Sequence, residues 1–190
     1  MGNSFINTGD FANSAFIDND EKAIAYHQLE GYYRAVKVLV EKSEVRLDSL
    51  IYPIMYCVRH FTEILLKYNI DYINEHSYLK GKYCKTHDVI DNLKILDEYI
   101  GELMPENPLP SNIKEYIIDI VNLDENSNST RFKYNIVWNK KAKKDEVSFK
   151  DAIEIDLDKL NDAVDEIYAL SCIPDMLQEK WRFLSELQSI

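Results

Sequence analysis

The chain has 190 residues, 46% of them hydrophobic and 12% aromatic, enough for one packed domain and too few for two ordinary ones. Its formal net charge of −11 argues against a nucleic-acid binder that works over its whole surface, because phosphate contacts need Lys and Arg. There is no run of about 18 apolar residues, so no membrane span is expected, and five Gly with five Pro leave few interruptions, which favours helices.

Residues 1–18 are rich in Asn, Ser and Gly without a period and read as a loose N-terminal arm, with residues 19–190 forming a single domain. The opening lacks a basic region followed by an apolar one, and the three cysteines, Cys57, Cys84 and Cys172, are odd in number and widely spaced. A reduced, cytoplasmic setting is the expectation.

A first helix is predicted from about Asp20, capped by Asp18 or Asp20. Tyr26, Leu29, Tyr33, Val36 and Val40 recur at steps of three and four, so they should form its buried face. Gly31 costs such a helix about 1 kcal/mol against Ala, which suggests a close helix approach. A second helix runs through DSLIYPIMYCVRHFTEILLKYNIDYI, capped by Asp48 or Ser49, with Pro53 in or near the first turn, where proline is tolerated. SYLKGKYCK reads as a loop. THDVIDNLKILDEYI follows as a helix, with Thr86 as cap and Asp88 favouring its positive end. A shorter helix is expected in IKEYIIDIVNL.

The period then changes. In RFKYNIVW, Phe132, Tyr134, Ile136 and Trp138 alternate with polar or smaller residues, a two-residue repeat that predicts a strand; a polar turn and VSF complete a short β-hairpin. Residues 131–144 hold Arg131, Lys133, Lys140, Lys141, Lys143 and Lys144 and no acid, leaving 16 basic against 33 acidic residues elsewhere. Those six could hold an RNA backbone, with Phe132, Tyr134 or Trp138 free for base stacking; equally, the aromatics could pack on helices and the lysines keep a hairpin edge soluble. Asp156 caps a last long helix in which Leu157, Leu160, Val164 and Ile167 are spaced for burial. Pro174 should interrupt it before a final helix, with Met176, Trp181 and Phe183 as core or interface residues. The expected architecture is all-α: an up-and-down bundle of five to six helices with one short inserted hairpin.

The second helix raises a question of its own. At 100° per residue, Tyr52, Tyr56, Arg59, His60, Glu63 and Lys67 fall within about 100° of one face, while the rest of the wheel is apolar. An ordinary surface helix has the reverse proportions. The stripe should face a cleft, a subunit interface or other polar groups; Arg59–Glu63 and Glu63–Lys67 are also i, i+4 pairs of the kind that stabilise a solvated seam.

Other chemistries are poorly supported. Cys57 with His60 and Cys84 with His87 make two C-x-x-H pairs, but Cys57 sits in mid-helix and neither pair has a knuckle-like turn, so no metal is expected. No Gly-rich phosphate loop, dinucleotide fingerprint or nucleophile elbow occurs, and no cofactor is expected.

An aromatic-Pro start (Tyr52, Pro53), then RHFTEILLK, a helix opened by HDVIDNL, and FKYN ahead of the last long helix together resemble the HEPN superfamily of small α-helical domains, many of them in toxin–antitoxin and antiphage systems. The likeness spans about residues 50 to 170. It implies a homodimer through the striped helix, with a protein partner from the same defence system or an RNA or nucleotide ligand. Active HEPN ribonucleases cleave RNA without a metal, using an Arg followed four to six residues later by His. Here His60 follows Arg59 at once and that spacing is missing; Lys133 and Asn135 also replace the usual Arg and Pro. Two expectations follow from the resemblance: a non-catalytic module that dimerises or binds a partner or nucleotide, or a metal-independent endoribonuclease using Arg59 with His60 or His87, Glu63 lying between them on the stripe.

Overall fold

The computed structural model describes residues 20–43, 47–79, 87–123, 136–139, 144–147 and 154–188. Its helices are α1 (Glu21–Glu41), α2 (Leu47–His76), α3 (Val89–Leu103), α4 (Ser111–Asn122), α5 (Leu157–Tyr168) and α6 (Ile173–Gln188), the last two joined by a 3-10 turn at Ala169–Cys172. The architecture is an all-α helical bundle, and no described helix is long and apolar enough to cross a membrane. Strands β1 (Ile136–Asn139) and β2 (Lys144–Val147) pair antiparallel, Ile136 opposite Val147 and Asn139 opposite Lys144. The start of the predicted alternating strand, with Phe132 and Tyr134, lies outside the described residues, as does the predicted arm.

α2 is the axle. It packs against α1, α3, α4, α5 and α6, and Ile54, Val58, Phe61, Leu65, Leu66, Ile70 and Ile73 are fully enclosed along it. That wide apolar arc is the reason a 30-residue helix carrying several charges sits at the centre rather than the rim. α1 lies along α2 and is clamped to α5: the Tyr33 ring stacks on Tyr168 at 4.0 Å, and Lys37 Nζ and the Tyr33 hydroxyl both donate to Asp165, at 2.7 and 2.9 Å. α3 and α4 are tied by Lys114 to Asp97 at 3.1 Å, and α6 reaches the end of α3 through Lys180 Nζ on the Leu103 carbonyl at 2.9 Å.

Several local expectations are corrected. α2 begins at Leu47, so Asp48 and Ser49 lie within its first turn rather than capping it. Pro53 is consequently in the second turn, where its missing amide forgoes one i to i−4 bond that only tertiary packing offsets. The cap of α3 is Asp88, whose carboxylate accepts from the amides of Ile90 and Asp91; position 86 lies outside the described residues. Asp20 takes the cap of α1, accepting from the Ala23 amide at 3.0 Å, and Asp156 caps α5 as its position predicts. Gly31 faces open space rather than a neighbouring helix. Tyr26 is half exposed, not core. On α6, Trp181 is partly buried, stacked parallel to Tyr72 at 6.4 Å, whereas Met176 and Phe183 are exposed; Pro174 falls in the first turn of α6, after the 3-10 segment.

Candidate functional site

The polar stripe of α2 enters the bundle rather than running along its surface. Arg59 and Glu63 are each only 3% exposed in the middle of the helix, and His60 is half-buried beside them. Such burial is costly for an ionised group unless partners compensate. Glu63 has two of them on the same oxygen: Lys67 Nζ donates to Oε1 at 2.7 Å from one turn below, and His87 Nδ1 donates to Oε1 at 2.8 Å from the segment that enters α3. Burial pushes the Glu63 carboxyl up, but the hydrogen bonds from Lys67 and His87 outweigh it and hold the group below the ordinary carboxylate range. The carboxylate is therefore ionised at neutral pH, and both nitrogens act as donors toward it.

His87 is placed by the cap next to it. Asp88 is the N-cap of α3, so His87 stands just outside the helix, at the last position before the chain turns in. Its ring is anchored through one nitrogen while 76% of the side chain stays open to solvent. A carboxylate fixing one imidazole nitrogen sets the tautomer and leaves the other nitrogen for proton exchange.

His60 occupies a different environment. Its ring meets Tyr32 of α1 edge-on at 4.5 Å and stacks on Tyr56, one turn earlier, at 5.8 Å; Tyr32 and Tyr56 themselves meet edge-on at 6.5 Å. Burial lowers the His60 pKa; Glu63 works the other way, and Lys67 and His87 add to the lowering. A lowered imidazole is neutral at pH 7 and able to accept a proton. The sign for stability follows: the unfolded chain binds the extra proton more readily, so His60 favours the fold above its unfolded value near 6.5 and loses that contribution as pH falls through the folded value.

The structure thus gathers His60, Glu63, Lys67 and His87 into one cluster, with Arg59 buried in the same turn of α2. His87 arrives at Glu63, one turn of α2 beyond Arg59. Arg131, Lys133, Lys140, Lys141 and Lys143 lie outside the described residues, and Lys144 opens β2 opposite Asn139. Cys57 is partly buried, with burial raising its thiol pKa, Cys84 lies outside the described residues, and no group of three metal-ligating side chains occurs among the described ones.

The place of Lys67 on the stripe, four residues beyond Glu63, already marks it as the carboxylate's helical partner. Tyr32 could not be found from α2 at all, since it reaches His60 from another helix. No family model matches the chain, and comparisons with curated proteins and with solved structures give no match either.

Proposed function

We propose that the chain is a HEPN-like domain of a prokaryotic defence or toxin–antitoxin system, and that its α2–α3 cluster cleaves RNA without a metal. The supporting observation is the buried Glu63 carboxylate, which holds an otherwise exposed imidazole, His87, beside a second, neutral one, His60. Two imidazoles, one to take a proton and one to give it, are what transfer of a phosphodiester to its own 2′-hydroxyl requires. His60 takes the proton of the 2′-hydroxyl as that oxygen bonds to phosphorus. His87 gives a proton to the departing 5′-oxygen, so the products are a 2′,3′-cyclic phosphate and a free 5′-hydroxyl. Lys67, one quarter exposed, sits close enough to offset charge building on the phosphoryl oxygens. The domain works in the cytoplasm as a homodimer paired through α2, as the family likeness implies.

One observation favours a second reading, a non-catalytic module that dimerises or binds a partner protein or nucleotide. Arg59, the residue that the family pattern would put at the phosphate, is 3% exposed and is better placed to organise the interior than to meet a ligand. Incubating wild-type protein with single-stranded RNA in excess chelator separates the two. Cleavage with cyclic-phosphate 3′ ends is expected; intact RNA at stoichiometric protein would leave the module reading.

A further inference from the structure

The aromatic groups beside the cluster have no part in the proton transfers. Tyr52 and Tyr56 precede His60 by eight and four residues on the same face of α2, a rise of about 6 Å for each four-residue step, and they are 47% and 38% exposed. Large exposed aromatics are unusual on a helix most of whose apolar residues are enclosed, and these two follow the polar stripe rather than the apolar arc. Tyr56 is also held in place. Its ring lies at 20° to His60, and Tyr32 closes the side, edge-on to both rings. Burial first, and the neighbouring Tyr56 second, push the Tyr32 hydroxyl up, so it stays neutral.

We propose that Tyr56, braced by Tyr32 and His60, is a stacking platform for an unpaired nucleobase next to the reacting phosphate, which makes single-stranded RNA the substrate class. It rests on the reading of the cluster as an RNA site and names what that site selects. A rigid aromatic face loses little entropy on stacking and accepts any base, because every base presents a π-face. A ribose whose 2′-hydroxyl reaches His60 has its own or its neighbour's base within one helical turn, where Tyr56 stands. A base inside a duplex is already stacked on its neighbours and cannot be offered to the ring without being pulled out.

The test reads binding and not cleavage. Fluorescein-labelled oligoadenylate with 2′-O-methyl riboses cannot be cut; an abasic oligomer of the same length keeps the phosphates and removes the bases; a duplex of the same sequence hides them. Wild type is expected to bind the oligoadenylate at least about tenfold more tightly than either control, about 1.4 kcal/mol for one stacked base. Tyr56→Ala should lose that preference and keep its affinity for the abasic strand, while Tyr56→Phe keeps the preference. If Tyr56→Ala melts early, Tyr56→Leu supplies an apolar side chain of similar bulk without a π-face and is expected to behave as Tyr56→Ala should. Equal binding of base-bearing and abasic strands by wild type, or an unchanged preference in Tyr56→Ala or Tyr56→Leu, overturns the platform. Base-dependent binding without cleavage of ordinary RNA would keep the platform and remove the ribonuclease.

Discussion

His87→Ala and His87→Gln are both expected to lower RNA cleavage by about 10²- to 10⁴-fold, the usual loss when a positioned proton donor or acceptor is removed. The glutamine variant is the more informative. Its amide can still donate to Glu63 Oε1 where His87 Nδ1 now does at 2.8 Å, so position and packing are preserved while proton transfer is not. Neither change should disturb the fold much: 76% of the side chain is in solvent, and the hydrogen bond to Glu63 is discounted accordingly, to within about 1 kcal/mol. Thermal melting beside single-turnover cleavage checks both halves. Cleavage that survives in either variant removes His87 from the chemistry; a large fall in melting temperature would make it a structural residue.

The second large effect concerns stability, and it is asymmetric. Lys67→Met should cost about 3 kcal/mol, the lower end of what removing one partner of a buried pair costs, because Lys67 itself keeps a quarter of its side chain in water. The loss arises at Glu63, which stays 3% exposed with one fewer donor. Glu63→Gln should cost less, about 1 kcal/mol, since it removes the buried charge and retains an acceptor, and its two former donors can turn to solvent. The double variant should therefore be more stable than Lys67→Met alone. The pH dependence has a definite sign. Glu63 lies below the ordinary carboxylate range in the fold, so its contribution is present above the unfolded value and lost as pH falls through the folded one. Without Lys67 the folded value moves up, and acid unfolding should begin at a higher pH. Denaturant titrations of the three variants at neutral and mildly acidic pH measure this; equal losses for Lys67→Met and Glu63→Gln would contradict the buried-charge explanation.

The 3.6-residue period made α2 readable, and it put Arg59, His60, Glu63 and Lys67 on one face before any contact was known. It could not say whether that face met water, because a helical wheel has no depth. The depth comes from the helices that pack around α2, which is why Arg59 and Glu63 prove buried and the solvated-ladder alternative does not describe them. The His87–Glu63 contact joins residues 24 positions apart. Its only local trace was an acidic cap following a histidine, and the sequence pointed to Thr86 for that cap where Asp88 takes it. Pro53 falls in the second turn, next to the first, for a related reason: a helix can start ahead of its best capping residues when its apolar arc is long enough to hold the extra residues. Gly31 shows the converse, a propensity cost with no packing contact to explain it.

The buried Glu63 carboxylate fixes the His87 ring through Nδ1, and most of the side chain stays in solvent, which leaves Nε2 open. Long-range proton–nitrogen correlation of the ¹⁵N-labelled imidazole, recorded in alkaline buffer, reads this directly. The expected result is the Nδ1–H tautomer in wild type and its loss in Glu63→Leu; an Nε2–H tautomer, or a tautomer mixture unchanged by that substitution, would contradict it.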